Sequence, residues 1–258
     1  MRITVLGCGT SGGVPRIGNH WGACDPENPR NRRRRVSIAV EQGATRLIVD
    51  TSPDLREQCL DNNIKRLDGV LYTHDHADHT HGIDDLRGLA WTMGGKVPVY
   101  GNQDTLDTLR QRFDYVFVSK HGYPAICEQR PIDGPFQVGE IAVTPFDQAH
   151  GDITSIGYRF GQAAYSTDLN GLDDAAFEAL SGIDLWIVDA LRYEPHPTHA
   201  HLDLTLSWIE RVKPKRAVLT HMTWDMDYDT LRRQLPDGVE PAYDGMVLEL
   251  DGPEAVTG

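Results

Sequence analysis

The chain has 258 residues, of which 40% are hydrophobic and 24% charged, and its formal net charge is −13. This length and apolar content predict a globular protein with a sizeable core, and the lack of a Pro/Gly/Ser-rich linker favours a single domain over residues 1–258. The negative charge argues against indiscriminate binding to nucleic acids or membranes, although it leaves room for a local basic groove.

Nothing in the sequence indicates export or membrane insertion. Residues 1–6 lack the apolar core of a secretory signal, and no apolar run is long enough to cross a bilayer. The four cysteines are scattered without a Cys-x-x-Cys pair, so a disulfide framework is not expected. We therefore predict a cytoplasmic protein.

The first fifty residues predict three strands, over 3–6, 36–40 and 46–50, and two unusual loops. Residues 7–15 are glycine-rich, which suits either a tight turn or an anion-binding loop. Residues 30–35 contain five arginines, which form a solvated loop or place a guanidinium on a substrate phosphate; Arg34 and Arg35 are the candidates. Asp50 ends its strand, either as a partner of a ligand histidine or in a purely structural role.

Alternating strand and helix patterns continue to the end of the chain. Helices are predicted over 53–63 with Ser52 as N-cap, and over 83–93, 105–113, 205–212 with Asp203 as N-cap, and 228–235. Strands are predicted over 69–73, 97–100, 115–118, 141–146, 155–160, 163–167, 185–190, 216–220 and 246–250. Residues 119–125 interrupt the pattern as a surface loop or a substrate-contacting insert.

The densest chemical signal follows the strand over 69–73, where the chain reads H-x-H-x-D-H. In extended backbone, residues two apart face the same way, so His74 and His76 can bind one ion. Asp78 and His79 are offset to one side and can bind a second ion. A ligand set of imidazoles and carboxylates without thiolates suits Zn²⁺, Mn²⁺ or iron rather than a structural cysteine site.

Other polar residues follow later strands: His150, Asp168 and His221. Residues 196–201 contain three further histidines, which we expect to handle substrate and protons. His201 stands directly before a predicted helix, where anions are favoured.

The order of these residues resembles that of the metallo-β-lactamase superfamily. Within it the chain is most similar to the PhnP-type cyclic phosphodiesterases and next to tRNase Z. The shared features are Gly13-Val14-Pro15, the arginine-rich loop before a serine, His201-Leu202-Asp203-Leu204, Leu219-Thr220-His221 and Tyr243-Asp244-Gly245-Met246.

The resemblance implies an α/β fold, the αββα four-layer sandwich of the metallo-β-lactamase type, with the site at one edge. It implies two divalent metal ions, Zn²⁺ or Mn²⁺: His74, His76 and His150 hold one, Asp78, His79 and His221 hold the other, and Asp168 bridges them. A metal-bridging hydroxide would attack a small phosphodiester, a cyclic ribose or nucleotide substrate, with Asp78 in the catalytic centre and His201 donating a proton to the leaving group. His199, Arg34, Arg35 and Asp203 are the expected substrate contacts.

Two alternatives stay open, a tRNA 3′-end processing nuclease and a thioesterase of the glyoxalase II kind. The insert over 119–125 is a poor candidate for an RNA-docking arm, and no basic C-terminal domain is visible. PhnP-type relatives can carry a further zinc on a cysteine cluster, but only His20 and Cys24 stand in the matching loop. We therefore expect two metals per chain, and the family makes a homodimer unsurprising.

Overall fold

The computed structural model describes residues 1–250 as two seven-stranded sheets with helices on their outer faces. The strands are β1 Arg2–Gly7, β2 Ser37–Gln42, β3 Thr45–Val49, β4 Gly69–Leu71, β5 Val97–Gly101, β6 Cys127–Pro131, β7 Phe136–Val138, β8 Ile141–His150, β9 Ile153–Phe160, β10 Ala163–Ser166, β11 Leu185–Asp189, β12 Arg216–Thr220, β13 Val239–Pro241 and β14 Val247–Glu249. The helices are α1 Leu55–Asp61, α2 Ala77–Thr80, α3 Leu86–Met93, α4 Gln103–Arg112, α5 Asp114–Phe117, α6 Asp174–Ala179, α7 Leu202–Val212 and α8 Tyr228–Gln234, with short 3-10 turns at Pro29–Asn31 and Ile83–Asp85.

The strand order is β14-β1-β2-β3-β4-β5-β6 in the first sheet and β13-β12-β11-β10-β9-β8-β7 in the second. Both faces of the first sheet are buried. Because successive side chains of a strand point to opposite faces, alternate residues belong to different cores. In β3, Leu47 and Val49 pack into the core between the sheets, whereas Ile48 packs under the outer helices. This division explains why the strands read as continuous apolar runs.

Each sheet buries its outer face under helices of its own half of the chain. Helices α1, α3, α4 and α5 cover the first sheet through residues such as Leu55, Leu86 and Leu106. Helices α6, α7 and α8 contribute apolar side chains, among them Trp208, to the core that includes the second sheet. The predicted αββα sandwich is therefore confirmed. Within residues 1–250, no helix has the length and hydropathy of a membrane span.

The predictions of local structure were wrong mainly in short segments and at the ends of helices. The strand expected over 115–118 is wrong, because residues Asp114–Phe117 form a helical turn that buries Val116. Its aromatic and β-branched residues favour a strand, but packing of the turn under the first sheet decides the conformation. The helix expected from residue 205 begins at Leu202, so Asp203 lies in its first turn and His201 takes the N-cap position.

The carboxyl ends of the parallel strands meet at one edge of the sandwich. Strand β3 pairs in parallel with β4, and β10, β11 and β12 pair in parallel with one another. Because residues that leave neighbouring parallel strands stay neighbours, the polar residues that follow these strands converge at that edge. This convergence locates the candidate site at that edge of the sandwich.

We expect Gly82→Ala, three residues after the H-x-H-x-D-H segment, to lower the free energy of unfolding by about 1–3 kcal/mol through overpacking. A Cβ atom at Gly82 would lie 2.1 Å from the carbonyl oxygen of Ser52 and 2.9 Å from Cβ of Leu55. Gly88→Ala is the control, because Gly88 lies within α3 with no atom within 4 Å of its Cβ position. The control should gain about 0.5–1 kcal/mol from helix propensity. Urea unfolding measures both changes, and equal stability of the two variants would contradict the packing argument.

Candidate metal centre

Four strand ends and one short helix supply the ionisable side chains of the site. His74 lies three residues beyond β4, His150 ends β8, Asp168 follows β10 and His221 follows β12. Helix α2 carries Asp78 and His79. All seven metal ligands expected from the sequence are brought together, in two groups that share Asp168.

The first group is His74, His76, His150 and Asp168, whose ligand atoms all lie within 4.8 Å of one another. Nε2 of His150 lies 3.4 Å from Nδ1 of His76. Oδ1 of Asp168 lies 3.9 Å from Nε2 of His74 and 3.8 Å from Nε2 of His150. Three imidazoles and one carboxylate oxygen therefore surround one small volume.

The second group is Asp78, His79, Asp168 and His221, with the same spacing of ligand atoms. Oδ2 of Asp168 lies 3.1 Å from Nε2 of His79 and 3.5 Å from Nε2 of His221. Oδ2 of Asp78 lies 3.4 Å from Nε2 of His79 and 3.8 Å from Nε2 of His221. The two oxygens of Asp168 thus face different groups, which is the arrangement of a bridging carboxylate.

Backbone strain marks the turns that aim these side chains. Asp50, Asp168 and His221 have φ angles of +62°, +55° and +58°. This left-handed conformation is uncommon for residues other than glycine, and it persists where the surrounding structure stabilises it. All three residues are buried at the ends of core strands.

The imidazole rings are oriented through their Nδ1 atoms. Nδ1 of His79 lies 2.7 Å from Oδ2 of Asp50, which also accepts a hydrogen bond from the hydroxyl of Thr73. Nδ1 of His150 lies 2.7 Å from the carbonyl oxygen of Thr198. In both cases the Nδ1 atom is placed to donate, which leaves Nε2 as the atom that could bind a metal ion. Asp50 therefore occupies the position of a partner for a ligand histidine.

The remaining ring nitrogens fit a pair of divalent cations. Nε2 of His74, of His79 and of His221 are buried without a hydrogen-bond partner. Despite burial, which lowers it, the pKa of His79 is raised well above its ordinary value by Asp168 and Asp78, and the same balance raises the pKa of His221 to about 9. The carboxylates thus place positive charge where a metal ion would bind, and a metal would displace these protons.

The pairing of His199 with Asp189 was not predicted from the sequence. Nδ1 of His199 lies 3.0 Å from Oδ2 of Asp189, the last residue of β11, and Nε2 of His199 lies 3.8 Å from Oδ1 of Asp168. The ring of His199 stacks on that of His221, with centroids 4.8 Å apart. Asp189 could have been found in the sequence by the same pattern as Asp50, because both are acidic residues at the end of an apolar run.

The site opens into a cavity of about 290 Å³. Five of the predicted ligands line it: His76, Asp78, His150, Asp168 and His221. The rest of the lining consists of Ser11, Asp152, Ile153, Thr198 and His199. Of the four expected substrate contacts, His199 is the one that reaches this cavity.

Arg34 and Arg35 are engaged elsewhere. The guanidinium of Arg34 lies 2.7 Å from Oδ2 of Asp61, and that of Arg35 lies 3.1 Å from Oδ2 of Asp54. Neither lines the cavity. Arg33 is buried and donates hydrogen bonds to the carbonyl oxygens of Thr223 and Met226. Substrate contacts by Arg34 and Arg35 stay predictions, with no support from the cavity.

His201 and Asp203 also lie away from the cavity lining. His201 is half-buried at the N-cap of α7, and Asp203 is exposed in its first turn. In the loop expected to lack a third metal, Cys24 is buried and lies 3.9 Å from a guanidinium nitrogen of Arg33, whereas His20 is exposed. The roles predicted for these residues stay predictions.

Comparison with known proteins identifies the family and the fold. The family described as "Beta-lactamase superfamily domain" matches residues 45–222. The crystal structure of a new diphosphatase from the PhnP family is similar with a TM-score of 0.90 and 40% identity, covering 97% of this chain and 98% of that one. Zn²⁺-bound PqqB from Methylobacterium extorquens has a TM-score of 0.78 at 20% identity, covering 97% and 100%, which shows the fold alone.

Curated relatives carry different names. An octanoyltransferase of Porphyromonas gingivalis is 36% identical over 97% of this chain and 52% of its own length. A ribonuclease Z of Bradyrhizobium sp. is 28% identical over 51% of this chain and 46% of its own length. The chain therefore spans about half the length of these relatives.

We expect Asp50→Asn to weaken metal binding about 10–100-fold, because a neutral amide oxygen accepts a weaker hydrogen bond from Nδ1 of His79 than a carboxylate does and makes the ring a poorer ligand. Titration of the metal-free protein with Zn²⁺ against a competing chelator measures the affinity. Asp107→Asn, an exposed position on α4, removes the same charge far from the site and is the control. Equal affinities of the two variants would remove Asp50 from the metal centre.

Proposed function

The chain belongs to the metallo-β-lactamase superfamily of hydrolases, and from its site we propose that it is a dinuclear metal-dependent phosphodiesterase. The proposed substrate is small, a cyclic ribose or nucleotide phosphodiester. The observation that carries the proposal is the carboxylate of Asp168, whose two oxygens face separate groups of ligands. Two cations on such a bridge suit in-line displacement at phosphorus, which needs charge stabilisation on both sides.

The size of the cavity and the comparisons support the choice of substrate. A volume of about 290 Å³ is near the lower end of the range for small-molecule sites. The PhnP-family diphosphatase is similar over almost the whole of both chains, and its described activity is also on phosphorus. Octanoyl transfer is not carried over, because the matched segment is about half of that relative.

Each part of the site has a role in this reaction. His74, His76, His150 and Asp168 would hold one ion, and Asp78, His79, His221 and Asp168 the other. When bound, these ions would activate a water molecule and neutralise the phosphoryl oxygens. Nδ1 of His199 is oriented by Asp189, so its Nε2 points toward the same volume as Oδ1 of Asp168. We propose that His199 donates the proton to the leaving alkoxide, in place of His201.

Several finer points stay predictions. The donor set accepts Zn²⁺ and Mn²⁺ alike. A cytoplasmic location and a homodimer are expected from the sequence and the resemblance. The second candidate function is a tRNA 3′-end nuclease, which the ribonuclease Z relatives favour.

The proposal is tested by hydrolysis assays on metal-analysed protein. The panel contains a cyclic ribose phosphodiester, 2′,3′-cyclic nucleotides, bis(p-nitrophenyl) phosphate, a tRNA precursor and a glutathione thioester. We expect turnover of the small phosphodiesters only, and removal of metal by a chelator should abolish it. Cleavage of the tRNA precursor or the thioester with all small phosphodiesters untouched would overturn the proposed substrate class.

We expect His199→Ala to keep both metals and to lose about 10²–10⁴-fold in kcat on a cyclic nucleotide, the usual value of a proton donor. The loss should be much smaller on bis(p-nitrophenyl) phosphate, because p-nitrophenolate leaves without a proton. His201→Ala is the matched comparison and should stay near the wild type on both substrates. Metal content by mass spectrometry shows that the ions are retained.

The dependence on the leaving group separates a proton donor from a structural residue. Equal losses of His199→Ala on both substrates would assign His199 to shaping the site. If instead His201→Ala lost activity on the cyclic nucleotide alone and His199→Ala did not, His201 would be assigned as the proton donor.

A further inference from the structure

The carboxylate of Asp189 places one oxygen against each of two histidines. Asp189 is the last residue of β11 and is fully buried. Its Oδ2 lies 3.0 Å from Nδ1 of His199, and its Oδ1 lies 3.8 Å from Nδ1 of His221. Within residues 1–250, no lysine or arginine forms an ion pair with this carboxylate. Its two oxygens are therefore directed at these two imidazoles.

The register of the second sheet fixes Asp189 beside His221. Strands β11 and β12 are parallel, and Asp189 pairs with Thr220, the residue before His221. The backbone N–H of Ala190 donates to the carbonyl oxygen of Thr220 at 3.0 Å, and the hydroxyl of Thr205 donates to the carbonyl oxygen of Asp189 at 2.6 Å. These bonds hold the backbone around the carboxylate in place relative to His221.

The loop after β11 brings His199 back to the same carboxylate. The backbone N–H of Leu191 donates to the carbonyl oxygen of Ala200 at 2.9 Å, and the N–H of Ala200 donates to the carbonyl oxygen of Leu169 at 2.6 Å. The rings of His199 and His221 are nearly parallel, with an interplanar angle of 12°. The two imidazoles thus lie side by side over one carboxylate.

The contact between Asp189 and His221 joins two buried atoms that lack any other partner. Oδ1 of Asp189 and Nδ1 of His221 are both buried without a hydrogen bond. By contrast, Nδ1 of His79 and Nδ1 of His150 each lie 2.7 Å from an acceptor. A metal ion on Nε2 confines the ring proton to Nδ1, and a buried N–H needs an acceptor. A small rotation of either side chain closes the 3.8 Å separation to a hydrogen bond.

We propose that Asp189 is a shared positioning residue: Oδ1 holds the metal ligand His221, and Oδ2 holds the proton donor His199. The part that concerns His199 rests on the proposed phosphodiesterase function, and the hydrogen bond to His221 goes beyond it. Binding of the ion in the second ligand group and donation of the proton then depend on one side chain. A change at Asp189 therefore weakens this ion and also leaves the leaving group without an oriented donor.

The test uses Asp189→Asn, which keeps the shape but leaves one acceptor oxygen for two rings. Titration of the metal-free protein with Zn²⁺ against a competing chelator should show one of the two ions bound about 10–100-fold more weakly. At saturating Zn²⁺, kcat should fall about tenfold or more on a 2′,3′-cyclic nucleotide. It should fall much less on bis(p-nitrophenyl) phosphate, because p-nitrophenolate leaves without a proton. Asp189→Ala removes both acceptors and should show both losses at full size.

The same substitution in a His199→Ala background separates the two contacts. The proton donor is already missing there, so Asp189→Asn should cause no further loss of kcat at saturating Zn²⁺. It should still weaken one ion by the same factor, because His221 is unchanged. Asp50→Asn is the matched comparison, since it should weaken metal binding without changing the ratio of the kcat values on the two substrates. Asp107→Asn, exposed on α4, controls for loss of charge alone.

The outcomes separate the shared role from the proposed function. Unchanged Zn²⁺ affinities when Asp189→Asn is added to His199→Ala would show that Asp189 acts through His199 alone, and would overturn the shared role while the phosphodiesterase stands. Equal losses of kcat on both substrates at saturating Zn²⁺ would overturn it as well, because a structural disturbance does not depend on the leaving group. Failure to hydrolyse every phosphodiester, including bis(p-nitrophenyl) phosphate, would remove the proposed function and the shared role with it.

Discussion

A single buried carboxylate joins the two sheets of this protein at the site. Asp168 follows β10 of the second sheet, yet it lies 3.1 Å from a ring nitrogen of His79, which the first sheet positions. An isolated carboxylate in such a place would be strongly destabilising, so it requires positive charge on both of its oxygens. The imidazoles around it hold its pKa well below the usual range, although burial acts to raise it. The packing of sheet on sheet therefore determines the distance between the two groups of ligands.

The grouping of the proposed metal ligands could be predicted because most of them stand at positions that the local sequence pattern marks. His74, His150, Asp168 and His221 all stand at or just beyond the end of a core strand, and parallel strands bring such ends together. Asp189 carries the same local signal but is one acidic residue among 38, and only its distance to His199 separates it from the rest.

The arginine-rich segment is conspicuous in the sequence, yet the cavity gives no support to the substrate contacts predicted for it. A run of five guanidiniums in an acidic protein suggests a shared task, but each one meets a different partner. Arg34 and Arg35 pair with acidic residues at and beside α1, and Arg30 lies over the ring of Tyr228. Arg33 holds the loop that follows His221 through the carbonyl oxygen of Thr223. The pattern indicates charge, whereas the partners depend on contacts between residues far apart in sequence.

The balance of charge at the site explains why a cavity without basic side chains suits an anionic substrate. Four carboxylates stand within or directly behind the ligand groups: Asp50, Asp78, Asp168 and Asp189. Two divalent ions would bring an equal amount of positive charge, so the loaded centre would be close to neutral. Its attraction for a phosphodiester would then come from direct contact with the ions rather than from a long-range field.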